Sequence, residues 1–155
     1  MRILQAAEAV FTEGGPEAST EEVARRAGVA IGTVFRHFPT KQDLLVAIMK
    51  RLREQLAAEA GRRDLFGFFA YAVAQAAGRR IVVDIELADA FGPLEESVAA
   101  LLRRAHADGA VAATVELPEV MALLVSLCQG ALHQRWDEDL QARTLAVVLA
   151  GLRRR

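Results

Sequence analysis

The chain has 155 residues, 53% of them apolar, a formal net charge of −1 and one cysteine, Cys128. A lone cysteine excludes an internal disulfide framework, and charged residues interrupt every apolar run before the roughly 18 residues that a membrane span needs. Met1–Gln5 leads directly into an amphipathic pattern rather than a signal peptide, so the expectation is a cytoplasmic chain with no membrane partner.

Ile3, Leu4, Ala7, Val10 and Phe11 recur at helical spacing and predict a first helix ending near Gly14-Gly15-Pro16. Ser19 stands three residues before Glu22, the spacing of a reciprocal capping box, and Thr20 to Ala27 form the second helix. Gly28 stops it by accepting a left-handed conformation. Ile31 to Phe38 make a short third helix ended by Pro39, and Thr40 starts a fourth with Leu44, Leu45, Ile48, Leu52 and Leu56 on one face. Breaks at Gly61, Gly78, Gly92-Pro93, Gly109 and Leu117-Pro118 imply further helices near 62–77, 79–91, 93–108, 118–134 and 138–153. No stretch alternates long enough to be a strand; Ile81-Val82-Val83 is too short. The fold class is all-α.

Charge is divided unevenly along the chain. Residues 1–53 hold eight Arg/Lys against six Asp/Glu, and residues 54–155 hold eleven against fourteen, which suggests a basic reader on an acidic body. From Val23 to Gln42 there are four Arg/Lys (Arg25, Arg26, Arg36, Lys41), one His and no acidic residue. Two short helices joined by a tight glycine turn, on a surface cleared of negative charge, are the pattern of a helix-turn-helix. Ile31, Gly32, Thr33, Arg36 and His37 project from the third helix, while Val34 and Phe38 pack inward. Gly32 lets the backbone approach DNA, and Thr33 suits a phosphate or a thymine methyl. Arg36 suits a bidentate contact to guanine, worth roughly 1–3 kcal/mol of discrimination. Lys41 adds a charge and first-turn N–H groups for phosphate.

At these residues the chain resembles the TetR family of bacterial transcription regulators. Ile3-Leu4-Gln5-Ala6-Ala7 matches the family's opening helix, and Ala27 to Lys41 matches a pattern like Ala-Gly-Val-Ser-x-Gly-Thr-Leu-Tyr-x-His-Phe-x-x-Lys. The resemblance implies an N-terminal three-helix DNA-binding domain over 1–50. A linking helix would join it to a helical effector-binding and dimerisation domain over 51–155, about nine helices in all. It also implies that Thr20, Thr33, Phe35, His37 and Lys41 touch the DNA backbone, and that positions 31 and 36 read bases. Two residues depart from the pattern. Phe35 stands where Tyr is common, which removes a hydroxyl, and Ala30 stands where Ser often caps the third helix, at a cost of roughly 0.5–2 kcal/mol.

In the family the last two helices pair with their symmetry mates, here over 118–134 and 138–153. Leu123, Leu127, Ala131, Leu145, Val148, Leu149 and Leu152 are the interface candidates, because more faces are apolar than one core uses. Phe66, Phe69, Tyr71, Phe91, Leu102, Met121 and Cys128 are the lining candidates for a pocket holding an apolar effector; Asp84 and Glu86 either orient it or are exposed or paired with Arg79 or Arg80. His106, Cys128 and His133 match no metal-ligand spacing, and no phosphate loop, HExxH or nucleophile motif occurs, so neither metal, cofactor nor catalysis is expected. The reading is a transcriptional repressor that binds a pseudo-palindromic duplex operator as a homodimer and is released by a small molecule. A helical carrier or enzyme that has lost specific DNA binding is the competing reading.

Overall fold

The computed structural model describes residues 2–78 and 94–153, and the chain divides into two compact units. Among the described residues, the first unit holds 2–52 and the second holds 53–78 with 94–153. Every regular element described is helical, apart from one isolated bridge between Val111 and Arg153.

The first unit comprises α1 (Arg2–Gly14), α2 (Thr20–Ala27), α3 (Ile31–His37) and residues 41–52 of α4 (Lys41–Ala60). Ala7, Val10 and Phe11 fall on one stripe of α1 and are buried with Ala18, Val23, Leu44 and Ile48 in a single cluster. Phe38 and Leu45 pack against it. Packing runs from α1 to α2 and from α2 to α3. The bounds of α2 are those the sequence implies, because both ends carry local signals. The Ser19 hydroxyl accepts the Glu22 N–H at 3.2 Å, and Gly28 sits at φ 67°, where a side chain would be strained.

The second unit is organised on α5 (Leu65–Ala77), which packs against α6 (Glu95–Ala107), α7 (Leu117–Gln134) and α8 (Glu138–Leu152). Leu65, Phe68, Phe69, Ala72 and Val73 make its buried stripe, at a spacing that returns to one face every turn. It meets the stripes Val98, Leu101, Leu102 and Ala105 of α6 and Val120, Leu124, Leu127, Cys128 and Ala131 of α7. Side-chain caps set three of the starts. Asp64 accepts from Gly67, Asp137 accepts from Leu140, and Glu116 and Glu119 form a reciprocal box at α7. The helix expected over 79–91 lies outside the described residues.

Between α7 and α8 the chain turns through Arg135, a non-glycine residue at φ 52°. The turn lays the Trp136 ring across α7 at Gly130, where a Cβ would lie 2.8 Å from ring carbon Cζ2. The indole N–H donates to Gln134 Oε1 at 3.0 Å, and Gln141 Nε2 donates to the Trp136 carbonyl. Gly130→Ala should therefore displace the ring. Because Trp136 is the chain's one tryptophan, a red-shifted emission maximum and a lowered Tm report this; unchanged emission would show that the ring does not rest there.

Candidate nucleic-acid interface

The site begins with the rotation of α3. Val34 is fully buried, and the successive 100° steps of a helix then place every other side chain relative to it. Gly32 and Arg36 fall roughly opposite Val34, with Ile31 and Phe35 on one flank and Thr33 and His37 on the other. The exposures agree: Ile31, Gly32, Phe35, Arg36 and His37 are exposed, and Thr33 is half-buried. Phe38 returns towards the core as the helix cap, its N–H donating to the Val34 carbonyl. A Cβ at Gly32 would meet nothing within 4 Å, so the protein's own packing does not require glycine there.

Around α3 two of the four basic residues are held in ion pairs with glutamates. Arg25 is held by Glu22, with Nε at 2.8 Å from Oε2 and Nη2 at 2.5 Å from Oε1. Arg26 makes a two-pronged pair with Glu13 of α1 and reaches Glu22 at 3.4 Å. The expected capping box at Ser19 is therefore half formed. Its hydroxyl caps α2, while the Glu22 carboxylate turns outward to the arginines instead of back to the Ser19 N–H, because a guanidinium one turn on offers two charged donors. Hydrogen bonds from Arg26 hold the Glu13 carboxyl below its usual range, and those from Arg25 do the same for Glu22. Carboxyls depressed in the folded state stabilise it above their ordinary value of 4.5, and this contribution fades as pH falls through the lowered values. Both pairs are open to solvent, which screens them.

Arg36 is left exposed and without a hydrogen bond or ion pair among the described residues. Lys41 is exposed at the start of α4, its Nζ 5.4 Å from the centre of the Phe11 ring. Thr20 is half-buried at the start of α2. At Thr40 a box missing from the sequence reading appears. Thr40 Oγ1 accepts the Asp43 N–H at 3.1 Å, and Asp43 Oδ2 accepts the Thr40 N–H at 3.0 Å. The signal was Thr-x-x-Asp beside an apolar run. These two N–H groups are thereby used within the protein, which narrows the set expected to meet phosphate. Ala30 does stand at the cap of α3 with extended backbone and no side-chain hydrogen bond.

The residues expected around an effector are scattered. Phe69 and Cys128 are fully buried and Leu102 nearly so, all in the packed core of the second unit. Phe66, Tyr71 and Met121 are half-buried, and Phe91 lies outside the described residues. The Arg153 guanidinium sits 4.9 Å from the Phe66 ring centre, and that of Arg63 sits 4.5 Å from Tyr71. Phe66 lines a cleft of about 250 Å³ with Arg63, Leu101 and Arg104. A second cleft of about 520 Å³ lies between α4 and α6, beside Ala57, Ala60, Ala100, Arg103 and Arg104, and none of the expected residues lines it. Arg104 donates to the carbonyls of Ala60 and Arg63, satisfying the end of α4. Among the described residues no cluster of three or more His, Cys, Asp or Glu is placed to hold a metal.

Of the residues expected to meet a second copy, Leu127, Ala131, Leu145, Leu149 and Leu152 are buried within the protomer, and Leu123 and Val148 are half-buried. The stripes chosen from apolar content are the ones α7 and α8 use internally. The outward strip of α8 is smaller in its side chains: Ala142, Ala146, Val147, Ala150 and Gly151 are exposed, Val147 at 76%.

A capped helix, a left-handed glycine and a short exposed helix anchored by one buried valine constitute a helix-turn-helix. Residues 3–48 match the model for bacterial regulatory proteins of the tetR family, and residues 47–154 match that for the SbtR-like transcriptional regulator C-terminal domain. The chain belongs to the TetR family. A TetR transcription regulatory protein from Mycobacterium vanbaalenii is 30% identical with a TM-score of 0.71, over 99% of this chain and 93% of that one. A TetR transcriptional regulator from Streptomyces coelicolor is 26% identical with a TM-score of 0.72, over 98% and 97%. The transcriptional repressor KstR of Mycolicibacterium smegmatis is 45% identical over 67 residues, 43% of this chain and 33% of that protein. The match thus spans about a third of that relative's length.

Two outcomes follow from the local geometry. Ala30→Ser supplies the missing cap and should stabilise the protein by roughly 0.5–2 kcal/mol in urea unfolding; a loss of stability would mean that the start of α3 is not where the structure has it. Burial pushes the Cys128 thiol up to about 12, so a maleimide should leave it untouched at pH 8 and label it after denaturation. Rapid native labelling would place Cys128 at an open pocket instead.

Proposed function

We propose that the protein is a transcriptional repressor that binds a pseudo-palindromic duplex operator as a homodimer and leaves it when a small molecule binds the helical body. The observation that carries this reading is α3, a helix locked by Val34 whose outer face presents Gly32 and Arg36, with Lys41 exposed at the start of the next helix. Ile31 and Arg36 read base edges, and Thr20, Thr33, His37 and Lys41 hold the phosphate backbone, with the Phe35 ring beside them. The similarity of the N-terminal residues to a named repressor supports the same reading.

Two recognition helices must sit about 34–36 Å apart to enter successive major grooves, which requires a dimer. The exposed small-residue strip of α8 is the surface for that pairing, together with half-buried Val148 on α8 and Leu123 on α7. An apolar effector binding one spacing of the two readers in preference to the other then sets operator affinity, since equal affinity for both states would shift nothing. No described helix is long and apolar enough to cross a membrane, and the site of action is the cytoplasm.

Salt and sequence separate the two kinds of contact. Measured on a duplex enriched from a random library, Arg36→Ala should relax preference at one position per half-site by roughly 1–3 kcal/mol. Lys41→Ala should weaken all duplexes alike and lower the slope of log K against log salt by about 1 per reader. Wild-type affinity no better than that for unrelated duplexes, at every salt concentration, would reject the reading in favour of a helical carrier without specific DNA binding.

A further inference from the structure

We propose that Ile31 and Phe35 form an apolar edge of α3 that reads the 5-methyl groups of thymine in the operator, an inference that rests on the operator reading above. Among the described residues four large apolar side chains are exposed: Ile31 at 37%, Phe35 at 43%, Val46 and Val147. Two of the four lie on the seven-residue α3, one turn apart, where side chains at i and i+4 adjoin. Val34 fixes this pair on one flank, while Thr33 and His37 occupy the other. The outer face of α3 therefore has an apolar edge and a polar edge on either side of Gly32 and Arg36.

The charge around the edge selects the occupant. Arg36 is exposed without a hydrogen bond or ion pair among the described residues, Lys41 is exposed at the start of α4, and no acidic residue occurs from Val23 to Gln42. A polyanion suits this surface and an apolar protein or lipid does not. Within a major groove the group that offers apolar surface on a base edge is the thymine methyl. Phe35 lacks a hydroxyl and so donates no hydrogen bond to phosphate. Its exposed ring gains by leaving water against a methyl. Contact with deoxyribose also buries the ring, but it carries no sequence information.

Deoxyuridine tests this directly, because it removes the methyl and keeps every hydrogen-bonding group. The full chain is used to enrich duplexes from a randomised library, and the winning duplex is remade with single deoxyuridine replacements. Affinity should fall about fourfold per methyl lost at a thymine in each half-site. In Ile31→Ala and Phe35→Ala, which change exposed positions, that ratio should shrink towards one while the far-ultraviolet circular dichroism stays unchanged. An enriched duplex indifferent to deoxyuridine overturns the proposal and leaves the operator reading standing, as does a methyl effect that persists in both variants. Failure of any duplex to enrich overturns both.

Discussion

The burial of Val34 is the constraint on which the functional face depends. A seven-residue helix has too few internal hydrogen bonds to persist alone, and Ala30 gives it no side-chain cap. Its position and its rotation are therefore set by the burial of Val34 and by Phe38, which packs against the cluster drawn from α1, α2 and α4. With that valine inside, Arg36 and Gly32 face outward, and Ile31 and Phe35 must share a flank. The left-handed turn at Gly28 fixes the other degree of freedom, the direction in which α3 leaves α2.

Electrostatics then acts on a frame already made. Glu13 takes up Arg26 and so ties α1 to α2, while Glu22 takes up Arg25 within α2, so half of the basic residues near the reader belong to the frame. Arg36 and Lys41 are the other two, and both are exposed. A raw count of lysines and arginines overstates the surface that can meet phosphate. It also hides the apolar edge beside it.

Local signals explain what the sequence made legible. Ser19, Gly28 and the i, i+4 pair of Val34 and Phe38 each act within a few residues, and α2 and α3 appear within one residue of their expected ends. The choice Glu22 makes between its own backbone and two guanidiniums depends on where Arg25 and Arg26 project, which is a matter of competing partners rather than spacing. Periodicity likewise marks an apolar stripe without saying what covers it. Leu127, Ala131, Leu145, Leu149 and Leu152 lie on such stripes and are covered by the protomer itself. Phe69 and Cys128 followed the same logic into the core, because a pocket is defined by the space beside a residue, and residue type does not encode that space.

Dimethyl sulfate footprinting on an enriched duplex tests the central claim most directly, since the reagent methylates guanine N7 in the major groove and adenine N3 in the minor. The account predicts that the bound protein shields guanine N7 in two segments centred about 10 base pairs apart, leaving adenine N3 between them reactive. Shielding confined to adenine N3, or no shielding under conditions where the duplex is bound, would contradict the placement of α3 in the major groove.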